Sequence, residues 1–422
     1  MLPPLIEIVP PAAPLRGTIT VPGSKSITNR ALVLAALSSG VTRVTGALWS
    51  EDTQVMVECL GQLGYAVEVG QDPAESANRR LQITGQGGSV PAGGTADRPL
   101  ELFVGNAGTA ARFLAAMVCL GRGWYRLHGV PRMHERPQAE LFDALRRLGY
   151  RVESVSNRLP VLIEGRGPRP GLVEVSVRES SQFASALLLS ARVGGWDVRV
   201  EGDNDEELPY VDMTRHLVRA FPWQGGTFAV EPDASSGSYF WAAGESPGDV
   251  TVRDWPDSGW QADAAFPRFL PLPPRVSRAT DLADSIMTAI VLAPFASRAV
   301  TFTELGRLRV QECERVVALR TELTKCGARV EEAGDTLTVF PGGALHGAEI
   351  ETYHDHRMAM CFAVFGLRVP GIRLRDPGCV RKTFPNFFAK LAAPGPEGLG
   401  VRILDARKGE PLPETAWLAD GP

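Results

Sequence analysis

At 422 residues the chain exceeds one ordinary domain and implies two or three, each long enough to bury a core without disulfide or metal staples. It is 44% hydrophobic and 22% charged with a net charge of −4, an ordinary balance for a soluble globular protein that excludes a broad nucleic-acid-binding surface. Any anion site must be built from particular Arg and Lys residues. The cysteines, Cys59, Cys119, Cys313, Cys326, Cys361 and Cys379, form no C-x-x-C pair and no zinc or disulfide spacing. Residues 1–4 begin no basic-then-apolar leader, and no run reaches the roughly 18 apolar residues of a membrane span. A cytoplasmic protein is expected.

In chain order, a short strand over 18–21 leads through Pro22-Gly23-Ser24-Lys25-Ser26 into a helix over 29–37. A strand follows over 42–46, then a helix over 53–63 that stops at Gly64, then strands over 66–69 and 81–84. The order recurs: strand 100–104, a helix from Gly105 to Cys119, strand 124–128, and helix 138–148 ending at Gly149. A third copy runs from Val173 through Ser180-Ser181-Gln182 to Val230, and a fourth begins near Phe228 with Asp233-Ala234-Ser235-Ser236. A fifth carries helices over 281–294 and 312–326, the latter capped by Gly327, and a sixth opens at Tyr353-His354-Asp355-His356-Arg357. Leu-Gly-Tyr-x-Val at 63–67 returns at 148–152, and Cys-Gly-Ala-Arg-Val at 326–330 echoes it. The pattern is an α/β chain of about six βαβαββ units, each of about 50–80 residues. The fourth is cut short, because Pro271-Leu272-Pro273-Pro274 cannot continue a helix or a central strand.

The chemistry-bearing residues gather at the polar turns that open these helices. Ser24-Lys25-Ser26 and Arg30 place hydroxyls and cations at a helix N-terminus, where free N–H groups favour an anion. Gly105-Asn106-Ala107-Gly108-Thr109 lets a ligand approach the backbone closely. Gly129 to Pro137 is a charged loop in which Arg132 suits a carboxylate or phosphate. Ser180-Ser181-Gln182 repeats the hydroxyl-rich helix start, with simple capping as the plain alternative. Glu312 and Arg315, three residues apart, share one helix face, and Asp284 stands at a helix start. His354 and His356 lack the spacing of a zinc site.

The strings PGSKSITNRALVLAAL, GNAGTAARFLAA, GVPRMHERP, SSQF, YHDHRMAM and KTFPNFF, in this order, resemble the signatures of the 5-enolpyruvylshikimate-3-phosphate synthase family across nearly the whole chain. The resemblance implies the enolpyruvyl transferase fold: 21–232 as one domain with three βαβαββ units, 1–20 with 233–422 as the second, the chain crossing twice and the site in the cleft. It implies transfer of the enolpyruvyl group of phosphoenolpyruvate to the 5-hydroxyl of shikimate 3-phosphate by a monomer without cofactor, metal, nucleic-acid or membrane partner. Phosphoenolpyruvate would be held by Lys25, Gly108, Arg132, Arg315, Arg357 and Lys382, with Gln182 reaching both ligands. Shikimate 3-phosphate would be held by Ser26, Arg30, Ser180, Ser181, Gln182 and Asp284. Asn106, Thr109 and His356 lie in the same motifs as further contacts. Glu312 would exchange a proton with the methylene carbon, and Asp284, or alternatively Lys25, would take the hydroxyl proton. Gly108 implies inhibition by glyphosate.

Three departures fall on the acceptor side. Gln311 replaces a usual lysine, Arg307 aligns with a frequent asparagine, and Glu206-Glu207 occupies the place of a usual serine. They motivate two alternatives: a non-catalytic anion-binding relative, or transfer to another acceptor. The sister enzymes that use a UDP-amino sugar carry a reactive cysteine in the loop matching 131–137, where this chain has none.

Overall fold

The structure is a computed structural model that describes residues 2–202, 208–244, 246 and 248–418. The chain folds into two compact units, one of residues 23–231 and the other of 1–22 with 232–422.

The 23–231 unit is built on three helices, Lys25–Leu37, Gly108–Val118 and Ser181–Gly194, which pack on one another. All eleven residues from Ile27 to Leu37 are buried, and from Ala31 onward the helix is apolar on every side. Sheets cover this helical core. In one, Gly226–Ala229 runs parallel to Ser39–Leu48, which pairs antiparallel with Asn78–Gln86, itself followed by Val67–Gln71. In the next, Leu100–Phe103, Arg122–His128, Val161–Arg166 and Arg151–Glu153 repeat that order. The third has two strands, Gly171–Ser176 and Trp196–Glu201.

The other unit repeats the scheme. Helices Ala234–Trp241, Ile286–Leu292 and His356–Gly366 are buried around Phe240, Ile290, Phe362 and Phe365. Its sheets comprise a pair, Val250–Val252 with Gly17–Ile19; a set of four, Arg275–Ser277, Val300–Thr303, Thr336–Phe340 and Arg329–Ala333; and a set of five completed by Leu5–Ile8.

One expectation needs correction. The strand expected over 18–21 does not serve the helix it precedes: it pairs with Val250–Val252, and Gly226–Ala229 takes its place in the first sheet. The third repeat therefore lends its last strand to the first, and its own sheet has two strands like the shortened fourth. Local pattern marks a strand but not its partner, since pairing is a long-range choice. In the fourth repeat the 3-10 helix Ala262–Phe269 stands where a full helix and two strands would follow.

The repeated glycines end helices alike. Gly64, Gly149 and Gly327 have φ of +93°, +86° and +84°, and the next residue donates its N–H back to the helix, Tyr65 to Leu60, Tyr150 to Leu145 and Ala328 to Leu323. This is the Schellman closure, which needs a left-handed residue and so favours glycine.

Candidate functional site

In the 23–231 unit the amino ends of the three buried helices adjoin. Asn29 donates to Thr109 Oγ1 at 3.1 Å, and Arg112 donates to Gln182 Oε1 at 3.0 Å. Hydroxyls of Ser26, Thr109, Ser180 and Ser181 thus collect at three helix N-termini, where backbone N–H groups add positive potential. Ser180 caps its helix by accepting from Gln182 N–H at 3.3 Å. Lys25 Nζ lies 2.9 Å from Asp52 Oδ2, a carboxylate in the first turn of helix Glu51–Gln62.

Gly108 explains its own smallness. A Cβ there would fall 2.5 Å from Arg112 Nη1 and 2.8 Å from Arg136 Nη2, so two guanidinium groups close on this backbone. Asn106 belongs to the same turn through its carbonyl, which accepts from Arg136 at 3.2 Å.

Two expected ligands make other contacts in this structure. Arg132 is 47% exposed and pairs with Glu135 at 2.6 Å along a short surface helix; Arg136, four residues on, is the loop arginine beside Gly108. The five-residue helix Pro131–Glu135 turns Arg132 outward, while its C-cap residue, Arg136, faces the Gly108 turn. Arg30 is 1% exposed, and its donors go to Thr214, Ser185 and the carbonyls of Ser26 and Tyr210. Burial lowers its pKa to about 10, against the opposing effect of the nearby Tyr210, which raises it. It ties three helices together from inside.

The other unit carries a charged network. Arg315, 1% exposed, donates from Nε to Asp355 Oδ2 at 2.6 Å and from Nη2 to Glu312 Oε2 at 2.8 Å. Its Nη1 donates to Gln311 Oε1. Glu312 Oε1 is 3.2 Å from Lys382 Nζ, so the carboxylate sits between two cations. Glu312 precedes rather than joins the expected 312–326 helix, which starts at Arg315 because Glu314 caps it through Val317 N–H at 2.6 Å. Asp355 caps helix His356–Gly366.

Asp284 lies in the turn before helix Ile286–Leu292, 3.0 Å from Arg357 Nη2 and 3.3 Å from Arg278 Nη2. Burial favours its neutral form, but Arg357, Arg278 and Arg315 outweigh that and hold the carboxyl well below the usual range. Its turn is held by Asp263, whose Oδ1 accepts from Ala283 N–H at 2.8 Å and Ser285 N–H at 3.1 Å. Burial, then the charge of Asp284, raises the Asp263 pKa.

Arg307 is half-buried in the 3-10 helix Gly306–Val310. His356 is 2% exposed with Nδ1 3.7 Å from Asp355. Glu206 and Glu207 lie outside the described residues. Sequence reasoning missed Asp52, Arg112, Arg136, Asp263, Arg278 and Asp355. Arg112 and Asp355 lie inside motifs already singled out, whereas Arg278 has no local signal.

Comparison with known proteins places this architecture. The EPSP synthase (3-phosphoshikimate 1-carboxyvinyltransferase) family matches residues 9–224 and 272–391, and the gap spans the shortened fourth repeat. A 3-phosphoshikimate 1-carboxyvinyltransferase of Nostoc punctiforme is 37% identical over 92% of this chain and 98% of the relative. One of Shewanella sp. (strain MR-7) is 38% identical over 91% and 98%. Among solved structures, EPSP synthase from Acinetobacter baumannii aligns with TM-score 0.73 at 22% identity over 94% of this chain and 99% of that one. The enolpyruvyl transferase NikO from Streptomyces tendae aligns with TM-score 0.68 at 16% identity over 95% and 98%, a likeness of fold. Two units of repeated βα elements, with cations and hydroxyls at their helix N-termini, and full-length similarity at this level lead to one conclusion: the chain belongs to the EPSP synthase family.

Proposed function

We propose that the chain transfers the enolpyruvyl group of phosphoenolpyruvate to the 5-hydroxyl of shikimate 3-phosphate and releases inorganic phosphate. The observation that carries this reading is Glu312, a carboxylate fixed between Arg315 and Lys382 in the same network as Asp284. The reaction adds a proton to the methylene carbon of phosphoenolpyruvate and forms a bond from the acceptor oxygen to C2. It then expels phosphate from C2 as a proton leaves the new methyl group. Glu312 exchanges the carbon-bound proton, and Asp284 takes the hydroxyl proton.

The substrates bring carboxylates and phosphates, and both units offer cations for them. Lys25, Arg136 and the Gly108 turn on one unit, and Arg315, Arg357 and Lys382 on the other, serve phosphoenolpyruvate. Ser26, Ser180, Ser181, Gln182 and Asp284 serve the acceptor. Arg136 replaces Arg132 in this reading on the strength of its place beside Gly108. All six cysteines are free thiols, which suits a monomer working in a reducing cytoplasm.

The test is phosphate release from purified protein with both substrates and with each alone. Release that requires both is expected; no release with both present would refute the activity. A second reading, transfer to a different acceptor, is favoured by Gln311, whose amide is engaged by Arg315. It predicts phosphoenolpyruvate binding without shikimate 3-phosphate-dependent release.

A further inference from the structure

The Asp284 carboxylate has a guanidinium on each oxygen: Arg278 Nη2 at 3.3 Å from Oδ1 and Arg357 Nη2 at 3.0 Å from Oδ2. The two cations stand differently. The Arg278 side chain is 1% exposed, whereas those of Asp284 and Arg357 are each 13% exposed. Arg278 therefore backs the carboxylate from the interior, and Arg357 meets it on the side a ligand can reach.

Arg278 is also the stiffer of the two supports. It follows strand Arg275–Ser277, which pairs parallel with Val300–Thr303, and its N–H donates to the Thr303 carbonyl at 3.1 Å. The Asp284 turn is pinned separately by the Asp263 carboxylate through the N–H groups of Ala283 and Ser285. Carboxylate and cation are thus each tied to backbone.

The charges around Asp284 make a single partner insufficient. Arg278, Arg357 and Arg315 attract it, while Glu312 and Asp263 repel it. An anionic substrate competes for Arg357, because a guanidinium cannot present the same N–H groups to two carboxylates. Once Arg357 turns to that anion, a carboxylate facing Glu312 and Asp263 would swing or take up a proton unless another cation stayed on it. Gln311 brings no charge and is engaged by Arg315. Arg278 is the interior cation in contact.

We propose that Arg278 is a positioning residue for enolpyruvyl transfer, holding the Asp284 carboxylate ionised and aimed while Arg357 turns to a substrate anion. The proposal rests on the enolpyruvyl transfer reading above. In this division of labour Arg278 never touches substrate; its effect passes through Asp284.

The test is a steady-state double-mutant cycle measuring phosphate release for wild type, Arg278→Gln, Arg278→Lys, Asp284→Asn and the two combinations. Arg278→Gln is expected to lower kcat by about 10–100-fold through misplacement of Asp284. The KM for phosphoenolpyruvate should stay within about two-fold. Arg278→Lys, which keeps the charge, should recover much of the loss. Neither change should lower kcat further in the Asp284→Asn background, because residues acting as one unit are not additive. Losses that multiply, or an unchanged kcat in Arg278→Gln, overturn the proposal. If Arg278→Gln does not fold, the Arg278→Lys and Asp284→Asn cycle decides by the same criterion. A wild type without turnover overturns the activity and this proposal together; an active wild type with multiplying losses overturns this proposal alone.

Discussion

The two units use one scaffold for two kinds of polar site. Each buries three helices and opens their amino ends toward shared polar contacts. In the 23–231 unit those ends carry hydroxyls and amides, with cations arriving from loops, such as Arg136 beside Gly108. In the other unit they carry Asp284 and Arg357, locked with Arg278, Arg315, Glu312 and Lys382. Neutral donors at helix N-termini suit an anion that only has to be held. Fixed carboxylates among cations suit proton transfer, since a carboxylate needs both a defined place and a defined charge. In the proposed reading both units offer cations to the substrate anions, and the carboxylates that handle protons belong to the second.

The sharpest way to break that contrast is Glu312→Gln. Proton exchange should fail, lowering kcat by about 10²–10⁴-fold, with phosphoenolpyruvate binding by calorimetry retained. Turnover near the wild-type level would remove Glu312 from the chemistry.

Next comes the stability of the charged network. Arg315→Met strands Asp355, which is 0% exposed, and should cost about 3–5 kcal/mol in urea unfolding. A loss below about 1 kcal/mol would mean that the pair behaves like a surface bridge.

The loop arginines sharpen the comparison on the other unit. Arg136→Ala should raise the phosphoenolpyruvate KM by about 10-fold or more, since it removes a charge-assisted donor. Arg132→Ala, in an exposed pair with Glu135, should change it less than about two-fold, on the order of a surface contact. The reverse pattern would restore Arg132 as the ligand.

Gly108→Ala tests how tightly that turn is closed. Its Cβ would push the ends of Arg112 and Arg136, and inhibition by glyphosate is expected to weaken by about 10-fold or more. Equal inhibition of both forms would place the inhibitor elsewhere.

The smallest effect is one of pH. Asp284 has a depressed folded pKa, so its pairing adds stability above the unfolded carboxylate value of about 4 and loses it as pH falls through the folded value. The stability gap between wild type and Asp284→Asn should therefore be widest near neutrality and narrow below about pH 4. A gap constant with pH would show that the depression is absent.

How far the sequence carried differs between the two sites. Ser180, Gly108 and Lys25 were legible because a helix start is a local event, written in capping residues and glycines. Glu312 and Arg315 were legible as a pair three residues apart, although Glu314 moved the helix start past Glu312. Arg132 and Arg136 could not be ranked from the sequence, because two arginines in one loop cannot be told apart without the direction of the short helix between them. The burial of Arg30 was not legible, because its motif names a cation at a helix start but not whether it faces outward or into the helical core.

The sequence by itself determined the repeat, the glycine-closed helix ends, the shortened fourth unit and the family. All of these rest on order along the chain: turn residues, spacing and motif succession. Tertiary structure alone decided that strand Gly226–Ala229 completes the first sheet while Gly17–Ile19 pairs with Val250–Val252. It alone brought Arg278 to Asp284 and Asp52 to Lys25. Strand pairing and buried ion pairs join residues that no local motif links, and their energies come from burial and from the low local dielectric, which no local pattern encodes.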